Sequence, residues 1–405
     1  MVAATAGSAE DEGGGATAES TLAWLLTPLP VQTFLDDVWT VARHHVHRDD
    51  PDYFAGLVPP STAELLECVR PDPSTLRLVR GEEQREADHY RAADGTLDVA
   101  RVQQDFAAGY TIVINKLERY LRSVADLAHS LEVELNFPAQ VNAYLTPPSA
   151  TGFVPHYDPH DVMVLQIGGT KHWHLYGDAP VPAAFMARHE QLDVTGLPAP
   201  TVLRLAPGDV LYLPRGAPHA AATGPEASLH LTVGLHAPTL LTLLTHVVHA
   251  LSLTDERLHE RLPARYLDDP AVRAELGRRL APTVEAVGEP AAIDAGLAAL
   301  ANIVSRRGRC PPVQPAAVTG DVDAETVLRR YQPLYARVIP LPDGVGLQFA
   351  QVLLRRGAEH EPALRFLAAR TEPFRVRDVP GLSRGAQTHL VRSLLAAGFL
   401  VPEAQ

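Results

Sequence analysis

The chain has 405 residues and a formal net charge of −13, from 48 acidic and 35 basic side chains. Its length predicts two or three domains, and an apolar fraction of 46% suffices for a hydrophobic core. The acidic balance argues against a protein that coats nucleic acid, because such binding depends on neutralising phosphates. It suits a basic partner or substrate, or solubility alone. Cys68 and Cys310 lie far apart and outside any CxxC pattern, so they predict neither a disulfide framework nor a thiolate zinc site.

The chain begins with a segment of small and acidic residues, MVAATAGSAEDEGGGATAES. This segment lacks the basic start and the apolar run of a signal peptide, so we expect residues 1–21 to form a disordered tail. The next stretch, TLAWLLTPLPVQTFLDDVWTV, has apolar residues at three- and four-residue spacing. That spacing predicts short helices.

Between residues 75 and 235 the pattern changes to short β-prone runs separated by glycine and proline turns. The runs are LRLV, TIVIN, VNAYLTP, DVMVLQI, KHWHLY, TVLRL, DVLYLP and SLHLTVGL. Runs of this length and spacing are typical of a β-sandwich or a barrel.

An uncharged stretch from residue 232 to 253, TVGLHAPTLLTLLTHVVHALSL, is long enough to cross a bilayer. Pro238 and three histidines interrupt it, so we expect a strand followed by a buried or interfacial helix. We therefore predict a cytoplasmic protein without a membrane span. Residues 239–305 are rich in Leu, Ala and Arg at helical spacing, which predicts packed helices or a dimerisation element.

The end of the chain shows the order helix, short strand, helix and apolar strand, which is the outline of a winged helix. Ser383 is the expected N-cap of the second helix. Residues 321–405 hold 11 Arg against 9 Asp and Glu, a net charge of only +2. A DNA-binding domain usually carries a stronger basic stripe, so this segment favours a structural or peptide-binding role.

Two short motifs predict a metal site. In His156-Tyr157-Asp158 the imidazole and the carboxylate are two residues apart and, on a strand, project from the same face. The sequence PGDVLYLPRGAPH has the G-x5-P-x-G-x2-H spacing of the second cupin motif, which presents His219 inside a small barrel. Two histidines and one carboxylate form the facial triad of non-haem Fe(II), with positions open for a chelating co-substrate and dioxygen. The alternative is a pair of hydrogen-bonded core histidines.

The other polar residues near these motifs can be sorted by strand alternation. Gly168-Gly169 predicts a hairpin between DVMVLQI and TKHWHLY. On the second strand Lys171 shares a face with Trp173, which indicates that it points into the barrel, while His172 and His174 point out. A lysine buried beside a metal needs an anion, which a metal-bound dicarboxylate would provide. Pro159 disrupts the alternation at His160, so no face can be assigned to that residue.

Taken together, the motifs resemble a known family. The resemblance is carried by LLTPLPVQTFLDDVW with DDPDYFAGL after it, VNAYLTPPSATGFVPHYDPHDVMVLQIGGTKHWHLY, PGDVLYLPRGAPHAA and SLHLTVGL. They are similar to the JmjC-type cupin oxygenases, in the ribosomal-protein hydroxylase branch, which depend on Fe(II) and 2-oxoglutarate. The resemblance implies an α+β chain: a double-stranded β-helix (the cupin/JmjC jelly roll), a helical dimerisation domain and a C-terminal winged helix. The corresponding ranges are 22–237, 238–315 and 316–405, and the implied assembly is a homodimer.

The resemblance also implies roles for four residues. His156, Asp158 and His219 match the iron ligands. Lys171, 15 residues after the first ligand, matches the residue that binds the distal carboxylate of 2-oxoglutarate. The implied chemistry uses O2 and converts 2-oxoglutarate to succinate and CO2 while a C–H bond is hydroxylated. The protein contributes positioning and water exclusion rather than acid–base chemistry.

Three further positions relate to the pocket. Asn142 and Tyr144 match positions at the substrate and co-substrate pocket, and the alternative is that they are ordinary strand residues. A serine that lines the pocket of the animal histidine hydroxylases corresponds here to Gly234, which leaves the substrate of this chain open. A lysine at position 171, rather than an arginine, resembles the histidine hydroxylases.

Three functional hypotheses follow. The first is a hydroxylase of a histidyl or other side chain in a protein or peptide, with a ribosomal protein as one substrate. The second keeps this chemistry and acts on a peptide natural product or a small metabolite. The third is a transcriptional regulator whose cupin senses a ligand and whose winged helix binds DNA.

Overall fold

The computed structural model describes residues 20–59, 61–70, 72–177, 180–187, 192, 194–310 and 322–403. Nineteen of the 21 residues of the expected tail, and the expected boundary between residues 315 and 316, lie outside this described part. Thr21, the last residue of the expected tail, begins the first helix, and the Ser20 hydroxyl accepts a hydrogen bond from Ala23 N at 3.1 Å.

The strands of the described chain form four sheets. Their bounds are β1 His44–Val46, β2 Leu76–Arg80, β3 Glu83–Arg85, β4 Thr111–Ile114, β5 Ala139–Thr146, β6 Asp161–Gly168, β7 Lys171–Leu175, β8 Thr201–Leu205, β9 Val210–Leu213, β10 His219–Thr223, β11 Ser228–Leu235, β12 Val327–Arg330, β13 Ala336–Leu341, β14 Gly344–Phe349, β15 Val352–Arg356, β16 Phe374–Arg375 and β17 Leu400–Pro402. All eight β-prone runs form strands, as predicted.

Two of the sheets build the barrel that carries the site. One has eight strands in the order β1-β9-β6-β11-β5-β4-β2-β3, and the other has three in the order β10-β7-β8. Side chains alternate along β5 between the core, through Val141, Ala143 and Leu145, and the opposite face. The two sheets give the jelly-roll architecture that the sequence predicts.

The predicted hairpin at Gly168-Gly169 is wrong. β6 pairs with β9 and β11, whereas β7 pairs with β8 and β10, so the two strands lie in different sheets. The glycine pair carries the chain from one sheet to the other. Gly169 has φ +60°, and a Cβ there would lie 1.9 Å from the Ala227 carbonyl oxygen. Two glycines signal a tight change of direction, but they do not specify which strands pair afterwards.

Helices flank the barrel and dominate the segment after β11. Their bounds are α1 Thr21–Leu26, α2 Val31–Thr33, α3 Thr62–Val69, α4 Val99–Ala107, α5 Arg122–Leu135, α6 Ala183–Ala187, α7 Leu240–Ser252, α8 Pro270–Val287, α9 Pro290–Ser305, α10 Glu361–Ala369 and α11 Arg384–Ala396. A π-helical turn, Phe34–Val38, continues α2. The uncharged stretch forms the end of β11 followed by α7, so the order of strand and helix is as predicted. α7 is not a buried helix, because Val247 is its one buried residue. Among the described residues no single helix is long and apolar enough to cross a membrane; α8 and α9, bent by 73°, pass such a test only as a pair, by length and composition alone.

The C-terminal part has its own core. Buried residues of α10, α11 and the strands β12 to β17 pack together, with Leu390, Leu394 and Phe399 fully buried. The predicted order of helix, short strand, helix and strand corresponds to α10, β16, α11 and β17. Ser383 caps α11, because its hydroxyl accepts a hydrogen bond from Ala386 N. The strands β13 to β15 form a separate antiparallel sheet that the sequence did not specify.

Candidate metal centre

The three predicted ligands lie together at the mouth of the barrel. His156 and His219 form an isolated antiparallel bridge: His156 N donates to His219 O at 3.0 Å, and His219 N donates to His156 O at 2.8 Å. The carboxylate of Asp158 lies 3.7 Å from His219 Nε2. One potential ligand atom from each residue lies within 4.8 Å of the others. This spacing allows all three side chains to hold one ion.

Backbone contacts orient both imidazoles. His156 Nδ1 donates to the Val154 carbonyl at 2.8 Å, and His219 Nδ1 donates to the Ala217 carbonyl at 2.9 Å. Each ring therefore carries its proton on Nδ1 and presents the lone pair of Nε2 to a metal ion, which is how metal-binding histidines are normally held. The two motifs are also joined directly, because Gly216 N donates to the Asp158 carbonyl at 2.9 Å.

The protonation of His219 suits a metal ligand. Burial, together with the neighbouring His156, lowers the pKa of His219 to about 4. Its ring is therefore neutral at neutral pH, as coordination requires. Two imidazoles and one carboxylate are the donor set that non-haem Fe(II) uses, and the residues present fit that ion.

Lys171 lies in the same pocket, 3% exposed. Its ammonium donates to Thr146 Oγ1 at 2.8 Å and lies 3.5 Å from His230 Nδ1. No carboxylate of the described residues forms an ion pair with it, and burial lowers the pKa of Lys171 to about 7. A buried amine without a counterion is costly, so the pocket favours an anionic ligand.

The strand alternation around Lys171 is as predicted. Lys171, Trp173 and Leu175 are buried, whereas His172 and His174 are half-buried on the other face of β7. Trp173 also lines the pocket, and its buried indole N–H has no acceptor among the described residues. It is a second donor that suits a ligand with acceptor oxygens.

Tyr144 and Asn142 occupy different environments. Tyr144 lines the pocket, a cavity of about 150 Å³, and its ring stacks on His230 with centroids 4.8 Å apart. Burial raises the pKa of Tyr144 to about 12. Asn142 lies on the same face of β5 but does not line the cavity. Its Oδ1 accepts hydrogen bonds from Lys116 N at 3.0 Å and from Gln140 Nε2 at 3.1 Å.

Several residues that line the pocket or contact Lys171 were not singled out from the sequence. Thr146, which accepts the hydrogen bond from Lys171, could have been found, because it lies two residues beyond Tyr144 on β5 and shares its face. His230 comes from β11 and Arg77 from β2, and no local signal distinguishes either from an ordinary strand residue. Their positions depend on which strands pair, which the sequence motifs do not specify.

A second, larger cavity of about 590 Å³ lies at the end of β11, lined by residues of the barrel, α7 and α9. His160, which had no predicted face, lines this cavity and stacks on His236 with centroids 4.5 Å apart. A Cβ at Gly234 would lie 2.6 Å from His160 Nε2. The absence of a side chain at Gly234 therefore makes room for the imidazole of His160.

Comparison with known proteins agrees with this geometry. Residues 118–243, which include every predicted ligand and Lys171, match the JmjC domain family. This part of the chain is therefore similar to a JmjC domain. The relatives of the chain are ribosomal oxygenases: it is 30% identical over 272 residues to mouse ribosomal oxygenase 2, covering 63% of this chain and 57% of the relative. It is 33% identical over 228 residues to the bifunctional lysine-specific demethylase and histidyl-hydroxylase NO66 of Aedes aegypti, covering 53% of this chain and 34% of the relative.

The fold matches solved structures over most of the length of the chain. A structure of Escherichia coli YcfD covers 93% of this chain and 98% of its own, with a TM-score of 0.56 and 17% identity. Another structure of the same ribosomal oxygenase, in complex with cobalt and 2-oxoglutarate, covers 93% of this chain and 99% of its own, with a TM-score of 0.54 and 17% identity. At this identity the likeness concerns the fold. The chain spans roughly a third to three fifths of the length of the curated relatives described above.

Proposed function

We propose that this chain is an Fe(II)- and 2-oxoglutarate-dependent dioxygenase that hydroxylates a protein or peptide side chain. The observation that carries the proposal is the coincidence, in one small cavity, of three convergent metal donors and a buried lysine that has no counterion within the described part of the chain. A structural cluster of histidines would not require such a lysine beside it.

In this proposal His156, Asp158 and His219 hold the iron, and Lys171 pairs with the distal carboxylate of 2-oxoglutarate. When bound, iron and 2-oxoglutarate supply oxidative chemistry: O2 and 2-oxoglutarate yield succinate, CO2 and one oxygen atom inserted into a substrate C–H bond. Thr146 fixes the lysine ammonium at 2.8 Å. The buried wall around Trp173 limits the access of water.

We favour a histidyl side chain of a ribosomal protein as the substrate. The names of the relatives include ribosomal oxygenase and histidyl-hydroxylase, and ribosomal proteins are basic, which the net charge of −13 complements. A peptide natural product or a small metabolite is the second candidate substrate. Gly234 replaces the serine of the animal histidine hydroxylases and lets His160 line the cavity of about 590 Å³, so this cavity would differ in shape from theirs. Mass spectrometry of ribosomal proteins incubated with the enzyme would show a gain of one oxygen on a histidine under the first proposal.

We also propose the assembly and the domain division. The dimerisation domain, residues 238–315, contains α7 to α9, and α7 presents exposed apolar residues that a second copy would cover: Leu240, Leu241, Leu244 and Val248. Residues 316–405 would form a winged helix with a structural or peptide-binding role rather than a DNA-binding one. The protein would act in the cytoplasm, where ribosomal proteins are available.

The first experiment is an anaerobic titration with Fe(II) and 2-oxoglutarate that follows the visible charge-transfer band of the chelate. Wild type should show the band, Asp158→Ala should lose it, and Lys171→Ala should need far more 2-oxoglutarate. His172→Ala is the matched control, because this neighbour lies on the other face of β7 and should leave the titration unchanged. An absent band in iron-loaded wild type would contradict the oxygenase proposal and favour the ligand-sensing regulator.

A further inference from the structure

A second cluster of metal-binding side chains lies at the edge of the large sheet. His45 and His47 are two residues apart around β1 and flank Val46, which is buried. β1 pairs with β9 so that His45 faces Leu211 and Val46 faces Val210. The next pair in this register brings His47 beside Asp209, a fully buried aspartate immediately before β9.

The donor atoms are already at the spacing that a metal ion requires. His45 Nε2 lies 3.2 Å from Asp209 Oδ2, and His47 Nδ1 lies 2.9 Å from Asp209 Oδ1. One potential ligand atom from each residue lies within 4.8 Å of the others. Zinc binds nitrogen and oxygen ligands at roughly 2.0–2.2 Å, so two ligands of a tetrahedral ion are about 3.3 Å apart. The ion could therefore bind with little movement of the backbone.

The surroundings support coordination as well as hydrogen bonding. The backbone N–H groups of Arg48 and Ala206 each donate to Asp209 at 2.9 Å, one to each carboxylate oxygen, which fixes the orientation of the carboxylate. His47 Nε2, the nitrogen that faces away from Asp209, lies 3.4 Å from an Asp49 oxygen. A histidine between a metal and an outer carboxylate is a common arrangement in zinc sites.

We propose that His45, His47 and Asp209 form a second site, for a borderline divalent cation of the zinc class. The site shares no residue with the centre at His156, and its donor set of two imidazoles and one carboxylate suits zinc, cobalt and nickel. The His47 side chain is 60% exposed, so an ion can enter from solvent and retain water ligands. Bound there, the cation would fasten β1 to the turn before β9.

The test uses the full-length chain with Asp158→Ala and His219→Ala, which remove the first centre. We expect this parent to bind one equivalent of Zn²⁺ in competition with a chromophoric chelator, and its Tm to rise on adding Zn²⁺. His47→Gln should weaken zinc binding at least tenfold and abolish the Tm rise. Glutamine can still donate a hydrogen bond to Asp209, so this variant keeps the network without the imidazole ligand.

Two further variants make the result decisive. His44→Gln changes the neighbouring histidine of the same strand, which is outside the cluster, and should bind zinc as the parent does. His47→Ala removes an exposed side chain and should fold while losing the site. If the parent binds no more zinc than His47→Ala, or if His47→Gln binds it as tightly as the parent, the cluster is only a hydrogen-bond network and the proposal is wrong.

Discussion

The charged form of Lys171 is energetically unfavourable in the pocket. The side chain is almost completely buried, and burial lowers its pKa to about 7 from the value of 10.5 that it has in the unfolded chain. Below about pH 7 the folded protein must keep a charged amine away from water. Between pH 7 and 10.5 the unfolded chain binds the extra proton, so this cost shrinks as the pH rises.

Replacing Lys171 by an uncharged residue should make the protein more stable. Lys171→Met keeps the chain length without the charge, so we expect the free energy of unfolding at pH 6 to rise by a few kcal/mol, on the order of a pKa difference of this size. The gain over wild type should shrink as the pH rises from 7 to about 10. Urea denaturation at pH 6 and pH 9 measures it, in metal-free protein without 2-oxoglutarate. An equal gain at both pH values would show that packing, not charge, causes the change.

Gly234 and His160 should be energetically coupled. In Gly234→Ser the new Cβ would lie 2.6 Å from His160 Nε2, so the imidazole must leave its stack on His236. We expect a loss of about 1–3 kcal/mol in unfolding free energy, as for other overpacked sites. Adding His160→Ala should recover most of it in a double-mutant cycle. Additive effects of the two substitutions would mean that His160 moves aside at no cost.

The crossover between β6 and β7 depends on one of its two glycines. Gly169→Ala adds a Cβ 1.9 Å from a backbone oxygen at a φ of +60°, and we expect a loss of more than about 2 kcal/mol. Gly168→Ala is the matched control: nothing lies within 4 Å of its added Cβ, so it should change stability by less than about 1 kcal/mol. Thermal unfolding compares the two. Equal losses would contradict the close approach described at Gly169.

The sequence predicted those strands and helices whose own residues carry a clear periodicity or cap. β5, β6, β7 and β11 are short β-prone runs bounded by turn residues, and α11 has both helical spacing and a serine cap. β10 was missed, because HAAAT has small side chains and becomes a strand through its pairing with β7. The prediction of a hairpin between β6 and β7 was wrong for a related reason. Which strands pair depends on packing across the whole sheet, not on the turn that connects two strands.

The residues of the site likewise divide into those that a local motif predicts and those that only the pairing of distant strands brings together. His156, Asp158 and His219 were found because each lies in a motif with fixed spacing, and Lys171 because its strand alternates cleanly. His230 was not found, since it reaches the lysine from a strand 59 residues away in sequence. Thr146, 25 residues away, was missed although the alternation of β5 places it on the face of Tyr144. The second cavity could not be predicted at all, because it depends on how α7 and α9 pack against the barrel.

The exposed leucines of α7 predict how the whole chain assembles. Leu241 and Leu244 are 73% and 46% exposed, which is unusual for two leucines on neighbouring turns of one helix. If a second copy covers them, wild type should have twice the mass of the chain by light scattering, and Leu241→Asp with Leu244→Asp should have half that mass. Leu353→Asp changes an exposed leucine of β15 and should leave the mass unchanged. A monomeric wild type would contradict the dimer.

The reciprocal backbone hydrogen bonds between His156 and His219 have a consequence for how the centre is loaded with metal. Because main-chain pairing holds both imidazoles, the centre is assembled before any ion arrives. Losing the ion should therefore leave a folded protein that can be reloaded. The affinity of this donor set rises from Mn²⁺ through Fe²⁺ and Co²⁺ to Ni²⁺, so affinity alone would not select iron. The ion that fills the centre in the cell would then depend on the composition of the available metal pool.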